Sequence, residues 1–120
     1  MAYADTYFFI ALMNADDALH EEAQKIYNKY KGNLQTSLLT IVELLAGCEK
    51  RKLDPEIVIS SVFQLTHISG ITLEQALRAA HYIKEKRLSS IDALHASLSN
   101  FEIISSDKDF DRIDVKRIWT

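Results

Sequence analysis

A chain of 120 residues with 48% hydrophobic and 26% charged side chains is the size of one globular domain and apolar enough to bury a core, which excludes disordered and fibrous classes. Fourteen Lys and Arg against seventeen Asp and Glu give a net charge of −3, so global basic charge cannot hold it to nucleic acid and any such contact must come from a local patch. A single cysteine, Cys48, rules out an intrachain disulfide, and the longest apolar run, Tyr7 to Met13, is too short for a membrane span and follows Asp5 rather than a basic segment, so a soluble cytoplasmic protein is expected.

Ala2-Tyr3-Ala4 ends in Asp5 and is followed by a helix-like run from Phe8 to Leu12, which reads as strand, turn, helix. From Asp16 or Asp17 to Tyr30 the apolar residues Ala18, Leu19, Ala23, Ile26, Tyr27 and Tyr30 recur at helical spacing, and Gly32 ends the helix. Leu34 to Ser37 has the length of a buried strand. Leu38 to Cys48 returns to helix, with Lys50, Arg51 and Lys52 near its end. Asp54-Pro55-Glu56 is a helix start, predicting a helix over Glu56 to Ser61. Phe63 to Ile68 is rich in β-formers and predicts a strand, which Gly70 terminates. Thr72 and Gln75 are spaced as a capping box for a helix towards Lys86. Ser89 or Ser90 caps a helix to about Leu98, and Glu102 to Ser106 and Val115 to Trp119 read as the last strands. Strands alternating with helices predict a mostly parallel sheet covered on both faces. The expected fold is therefore a three-layer α/β/α domain with about five short strands over residues 1–120.

In such sheets ligands bind beyond the carboxyl ends of the strands, where the strand order reverses. Four acids fall there: Asp5 after the first strand, Glu43 in the helix after the second, Asp92 at the start of the helix before the fourth, and Asp107 after the fourth. Each alone has a plain structural role, with Thr40-x-x-Glu43 spaced as a capping box and the three aspartates suited to caps and turns. Their joint placement points further. Carboxylates crowded in one cleft repel unless a cation neutralises them, and hard divalent ions such as Mg²⁺ or Mn²⁺ take oxygen ligands. Asp109, in the acidic loop Ser106-Asp-Lys-Asp-Phe-Asp-Arg112, is a candidate secondary ligand, and Asp111 is expected in solvent.

These segments resemble the four motifs of the PIN domain, and within it the small VapC-like toxin ribonucleases. Asp5-Thr6 with Phe8 to Leu12 looks like the opening motif, and Thr36-Ser37-Leu38-Leu39-Thr40-Ile41-Val42-Glu43-Leu44 is similar to the second. Ser89-Ser90-Ile91-Asp92-Ala93-Leu94-His95-Ala96 resembles the third, and Ile103-Ile104-Ser105-Ser106-Asp107-Lys108-Asp109-Phe110 the fourth, with Ser105 where threonine is commoner. The resemblance spans essentially the whole chain in order. It implies a Mg²⁺- or Mn²⁺-dependent endoribonuclease, the toxin of a toxin–antitoxin pair, in which Asp5, Glu43, Asp92 and Asp107 hold the ion or ions. Thr6, Ser37, Thr40 and Ser105 carry hydroxyls that would either orient carboxylates or water or serve as helix caps. The resemblance further implies an RNA substrate, a cognate antitoxin and a homodimer, with Phe8, Phe9, Leu12, Tyr27 and Tyr30 available to partner surfaces.

The remaining candidates are weaker. His95 follows Asp92 by one turn but reads as a packed core histidine, and His20, His67 and His81 form no ligand spacing. Cys48 lacks an identifiable base. Lys50-Arg51-Lys52 and Lys84-x-Lys86-Arg87 are either phosphate contacts or solvated helix ends. Two alternatives stand beside the nuclease: a catalytically silent PIN-fold interaction module, and a receiver-type regulatory domain, whose phosphoacceptor would have to be Asp54 although Pro55 marks that residue as a helix cap.

Overall fold

The computed structural model describes residues 1–119. Strands β1 (Ala2–Ala4), β2 (Leu34–Ser37), β3 (His67–Ser69), β4 (Glu102–Ile104) and β5 (Lys116–Ile118) form one sheet in the order β3-β2-β1-β4-β5. Every neighbouring pair is parallel: Tyr3 lies opposite Gln35 on one side and Ile103 on the other. Helices α1 (Thr6–Met13), α2 (His20–Tyr30), α3 (Leu38–Gly47), α4 (Pro55–Leu65), α5 (Leu73–Lys86) and α6 (Ser90–Leu98) cover it, and a 3-10 helix spans Lys108–Arg112.

The two-residue period of the strands divides the core into two layers. Ala2, Ala4 and Ile104 pack with Phe8, Phe9, Ala23, Leu44 and Val62 beneath α1 to α4. Tyr3 and Ile103 point to the opposite face, against Ala79, Tyr82, Ala93, Ala96 and Phe110. The three-layer expectation is met, with the sheet wholly rather than mostly parallel.

Capping chemistry sets the helix starts. Asp54 accepts from the amides of Glu56 and Ile57 with Pro55 at the first helical position, Thr72 and Gln75 form a reciprocal capping box, and Ser89 accepts from the Asp92 amide. Three local expectations are corrected. The strand predicted over Phe63 to Ile68 is helix in its first half: α4 continues to Leu65 because Val58 and Val62, four residues apart, bury one stripe, and β3 is His67–Ser69. Helix α2 begins at His20 rather than Asp16 or Asp17, since Asn14 and Asp17 turn their side chains onto the amides of Asp16 and Leu19. Thr40 and Glu43 form no capping box, because Ser37 holds the N-cap position of α3 and Glu43 lies in its second turn. The receiver reading fails on topology, since that fold orders its strands 2-1-3-4-5, and on Asp54, an exposed helix cap.

Candidate active site

Strand order reverses between β1 and β4, so the crevice beyond their carboxyl ends is the sheet's switch point. Asp5 leaves β1 there. Its amide donates to Ile104 O at 3.1 Å, and its carboxylate accepts from the Phe8 amide at 3.1 Å as N-cap of α1. Asp107 leaves β4 and caps the 3-10 helix, accepting from the Asp109 amide at 2.9 Å, while its own amide donates to Ser105 Oγ. The capping roles expected of these aspartates are real, and they orient both carboxylates at the switch point.

Asp5, Glu43, Asp92 and Asp107 line one cleft of about 400 Å³ together with Thr6, Arg51 and His95. Carboxylate oxygens of Asp92 and Asp107, which line the cleft, and of Asp109, which does not, lie within 4.8 Å of one another. Asp109 thus joins Asp92 and Asp107 at ligand spacing, whereas Asp5 and Glu43 border the same cleft outside that trio.

The electrostatics are those of an uncompensated acidic pocket. Burial pushes Asp5 up to about 6, against the hydrogen bonds of Ser105 and the Phe8 amide, and Asp107 adds to the rise. Burial likewise raises Asp92, followed by repulsion from Asp107. Glu43 moves the other way: burial opposes its ionisation, but hydrogen bonds from His95 and Thr6 prevail and lower it. Every acid in the cleft presents hard oxygen, and no thiolate approaches among the described residues, since Cys48 is buried in the core. That donor set fits Mg²⁺ or Mn²⁺ rather than a soft metal.

The hydroxyl residues divide. Thr6 Oγ1 donates to Glu43 Oε1 at 2.6 Å, and Ser105 faces Asp5. Ser37 stands further back, 2.8 Å from the Tyr3 hydroxyl, and Thr40 bonds Thr36 at 2.8 Å within the core without touching an acid. Asp111 is exposed, as expected, but pairs with Arg117 at 3.0 Å.

Two residues gain weight from the structure. His95 is 3% exposed, yet it does more than pack: Nε2 lies 2.6 Å from Glu43 Oε1 and Nδ1 2.9 Å from the Tyr3 hydroxyl. The signal in the sequence was its position one turn beyond Asp92, on the same face of α6. Arg51 lines the cleft, while Lys50 and Lys52 are exposed away from it. Glu43 lies one turn before Gly47, the last residue of α3, and Arg51 follows in the turn after the helix, its amide donating to Gly47 O at 3.2 Å. Of the residues offered for partner surfaces, Phe8 and Phe9 are fully buried in the core, and Leu12 and Tyr27 line an open groove between α1, α2 and α4.

A PIN domain family model matches residues 2–116 of the chain. Solved structures share the fold. VapC20 of Mycobacterium tuberculosis, described as a toxin that cleaves the sarcin–ricin loop, superposes with a TM-score of 0.80 at 17% identity, covering 98% of both chains. A chain of a toxin–antitoxin complex from Klebsiella pneumoniae gives 0.73 at 24% identity, over 92% of this chain and 90% of that one. VapBC2 of Rickettsia felis, solved bound to a DNA fragment from its promoter, gives 0.73 at 19% identity with full coverage of both. No curated protein matches the sequence.

Proposed function

The chain belongs to the PIN domain family, and from that premise we propose that residues 1–120 act as one domain, a metal-dependent endoribonuclease that is the toxin of a toxin–antitoxin pair. The observation that carries the reading is the acidic cleft at the β1/β4 switch point, where burial and mutual repulsion leave Asp5 and Asp92 in need of a cation. Asp92, Asp107 and Asp109, with Asp5 and Glu43 beside them, would hold Mg²⁺ or Mn²⁺, which supplies a bound water of lowered pKa and stabilises charge at the phosphodiester. Asp5 enters fixed by its cap to Phe8, and Thr6 fixes Glu43, so neither carboxylate has to reorganise when substrate arrives. Arg51, with no acid at ion-pair distance among the described residues, is free to meet the phosphate backbone at the cleft mouth.

Two surfaces support the partners. The groove between α1, α2 and α4, lined by Leu12, Met13, Tyr27 and Leu65 together with the polar Gln24, Asn28 and Ser61, suits a cognate antitoxin segment. Leu38, Val42, Ile71, Leu73 and Leu77 are all more than half exposed around α3 and the start of α5, and this face suits a second copy of the chain. No helix among the described residues is long and apolar enough to cross a membrane, and we place the protein in the cytoplasm, where RNA and a protein antitoxin meet it.

Cleavage of a sarcin–ricin-loop hairpin and of total cellular RNA, with Mn²⁺ or with EDTA, tests the activity. Cleavage that survives EDTA refutes the metal mechanism. Mn²⁺-dependent binding without cleavage of either RNA would favour the silent interaction module.

A further inference from the structure

Glu43 receives both of its short hydrogen bonds on one oxygen: Thr6 Oγ1 and His95 Nε2 each lie 2.6 Å from Oε1. No side chain among the described residues bonds Oε2. A carboxylate only accepts, so Nε2 of His95 must carry the proton of this contact, and in the neutral imidazole Nδ1 is then the acceptor towards the Tyr3 hydroxyl at 2.9 Å. Tyr3 is fully buried and keeps its proton, and Ser37 donates to it in turn at 2.8 Å. The result is a directional chain of donors, Ser37 to Tyr3 to His95 to Glu43. It crosses from β2 through β1 and α6 to α3, and it ends on a carboxylate in the cleft.

We propose that His95 is a positioning residue, locked in its Nε2–H tautomer by Tyr3 and Ser37, that pins Glu43 Oε1 and so reserves Oε2 for a divalent cation. The inference rests on the metal-dependent reading of the cleft and assigns a task within it. A histidine on a bare apolar face would need one hydrogen bond. This one has partners at both ring nitrogens on different elements, and the nearer partner at Nε2, ahead of Thr6 Oγ1 at 3.4 Å, is an acid in the cleft.

The fold tolerates the test. Without the imidazole, Tyr3 retains Ser37 and Glu43 retains Thr6, so His95→Leu orphans neither group. His95→Gln keeps a donor near the Nε2 position, and Tyr3→Phe removes only the hydroxyl that sets the tautomer. Long-range ¹⁵N correlation spectra of the metal-free protein read the tautomer directly, and Nε2–H is expected. Calorimetric titration with Mn²⁺ should show affinity lower by about 10–100-fold in His95→Leu, lower by about 3–10-fold in Tyr3→Phe, and within about threefold of wild type in His95→Gln. An Nδ1–H tautomer, or a folded His95→Leu protein that binds Mn²⁺ as tightly as wild type, overturns the assignment of His95 alone. A wild-type protein that binds no Mn²⁺ overturns the metal reading of the cleft and this assignment with it.

Discussion

The guanidinium of Arg51 lies directly over Gly47, so close that a Cβ on the glycine would stand 2.5 Å from Nη1. The bare backbone at position 47 is the seat that lets a cation rest in the wall of an acidic cleft without an acid partner among the described residues.

Gly47→Ala therefore separates binding from stability. The atom in the way is the far end of a flexible side chain, so Arg51 swings aside and the fold survives, with a gain of up to about 1 kcal/mol from the better helix former. RNA affinity should fall as it does in Arg51→Gln. For a labelled RNA hairpin bound to the Asp92→Asn protein, each of these changes should reduce the slope of log affinity against log salt by about one. Unchanged slopes in both would remove Arg51 from the RNA surface.

Asp5 makes stability depend on pH in an unusual direction for an aspartate. Its ordinary value of 3.8 rises to about 6 in the folded chain. Between those values the native state holds a proton that the unfolded chain has released, so metal-free stability is greatest at the acid end of the window and declines as pH rises through about 6. Asp5→Asn should flatten this decline and stabilise the metal-free protein at pH 7 by about 1–3 kcal/mol. Denaturant titrations of both proteins between pH 4 and pH 7 check it.

Millimolar Mn²⁺ should raise the thermal midpoint of the wild type, because the ion binds the native cleft and not the unfolded chain. The rise should be larger at pH 7 than at pH 5, where protonation of Asp5 competes with the ion. In Asp5→Asn the metal-induced rise should shrink even though its metal-free midpoint is higher.

For catalysis, Asp5→Asn and Asp92→Asn should each lower cleavage by about 100-fold or more, and the double variant should lose little beyond either, as expected of ligands that serve the one proposed ion-binding unit. Asp111→Asn should leave cleavage near wild type, because its carboxylate pairs with Arg117. Two active single variants would remove these acids from the chemistry.

Leu38 and Val42 are 66% and 55% exposed on α3. Replacing both with glutamate should leave the unfolding free energy within about 0.5 kcal/mol, as is usual for exposed positions. The same change should turn a homodimer into a monomer in sedimentation velocity. A wild type that sediments as a monomer would overturn the homodimer.

Much of this protein is local, and what is local was legible in the sequence. Strand β2 falls on Leu34–Ser37 as its length suggests, and Asp54-Pro55, Thr72 with Gln75, and Ser89 begin helices because a capping side chain needs only the next three amides. Asp5, Asp92 and Asp107 stood out because each closes a strand or opens a helix, Glu43 because it sits in the helix after the second strand, and the family motifs carry all four. Tertiary structure decided the rest. Helix α4 overrode the β-propensity of Phe63 to Leu65 once Val58 and Val62 found a layer to bury in. The strand order made β1 and β4 neighbours and so created the crevice. Asp109 reached ligand spacing through the turn of a 3-10 helix. His95 gained its meaning from Glu43, 52 residues away in sequence, and from Tyr3, 92 residues away. A helical period shows which side of a helix is apolar. It cannot show which hydrogen-bonding group on another element waits there, because that contact exists only once the layers have packed.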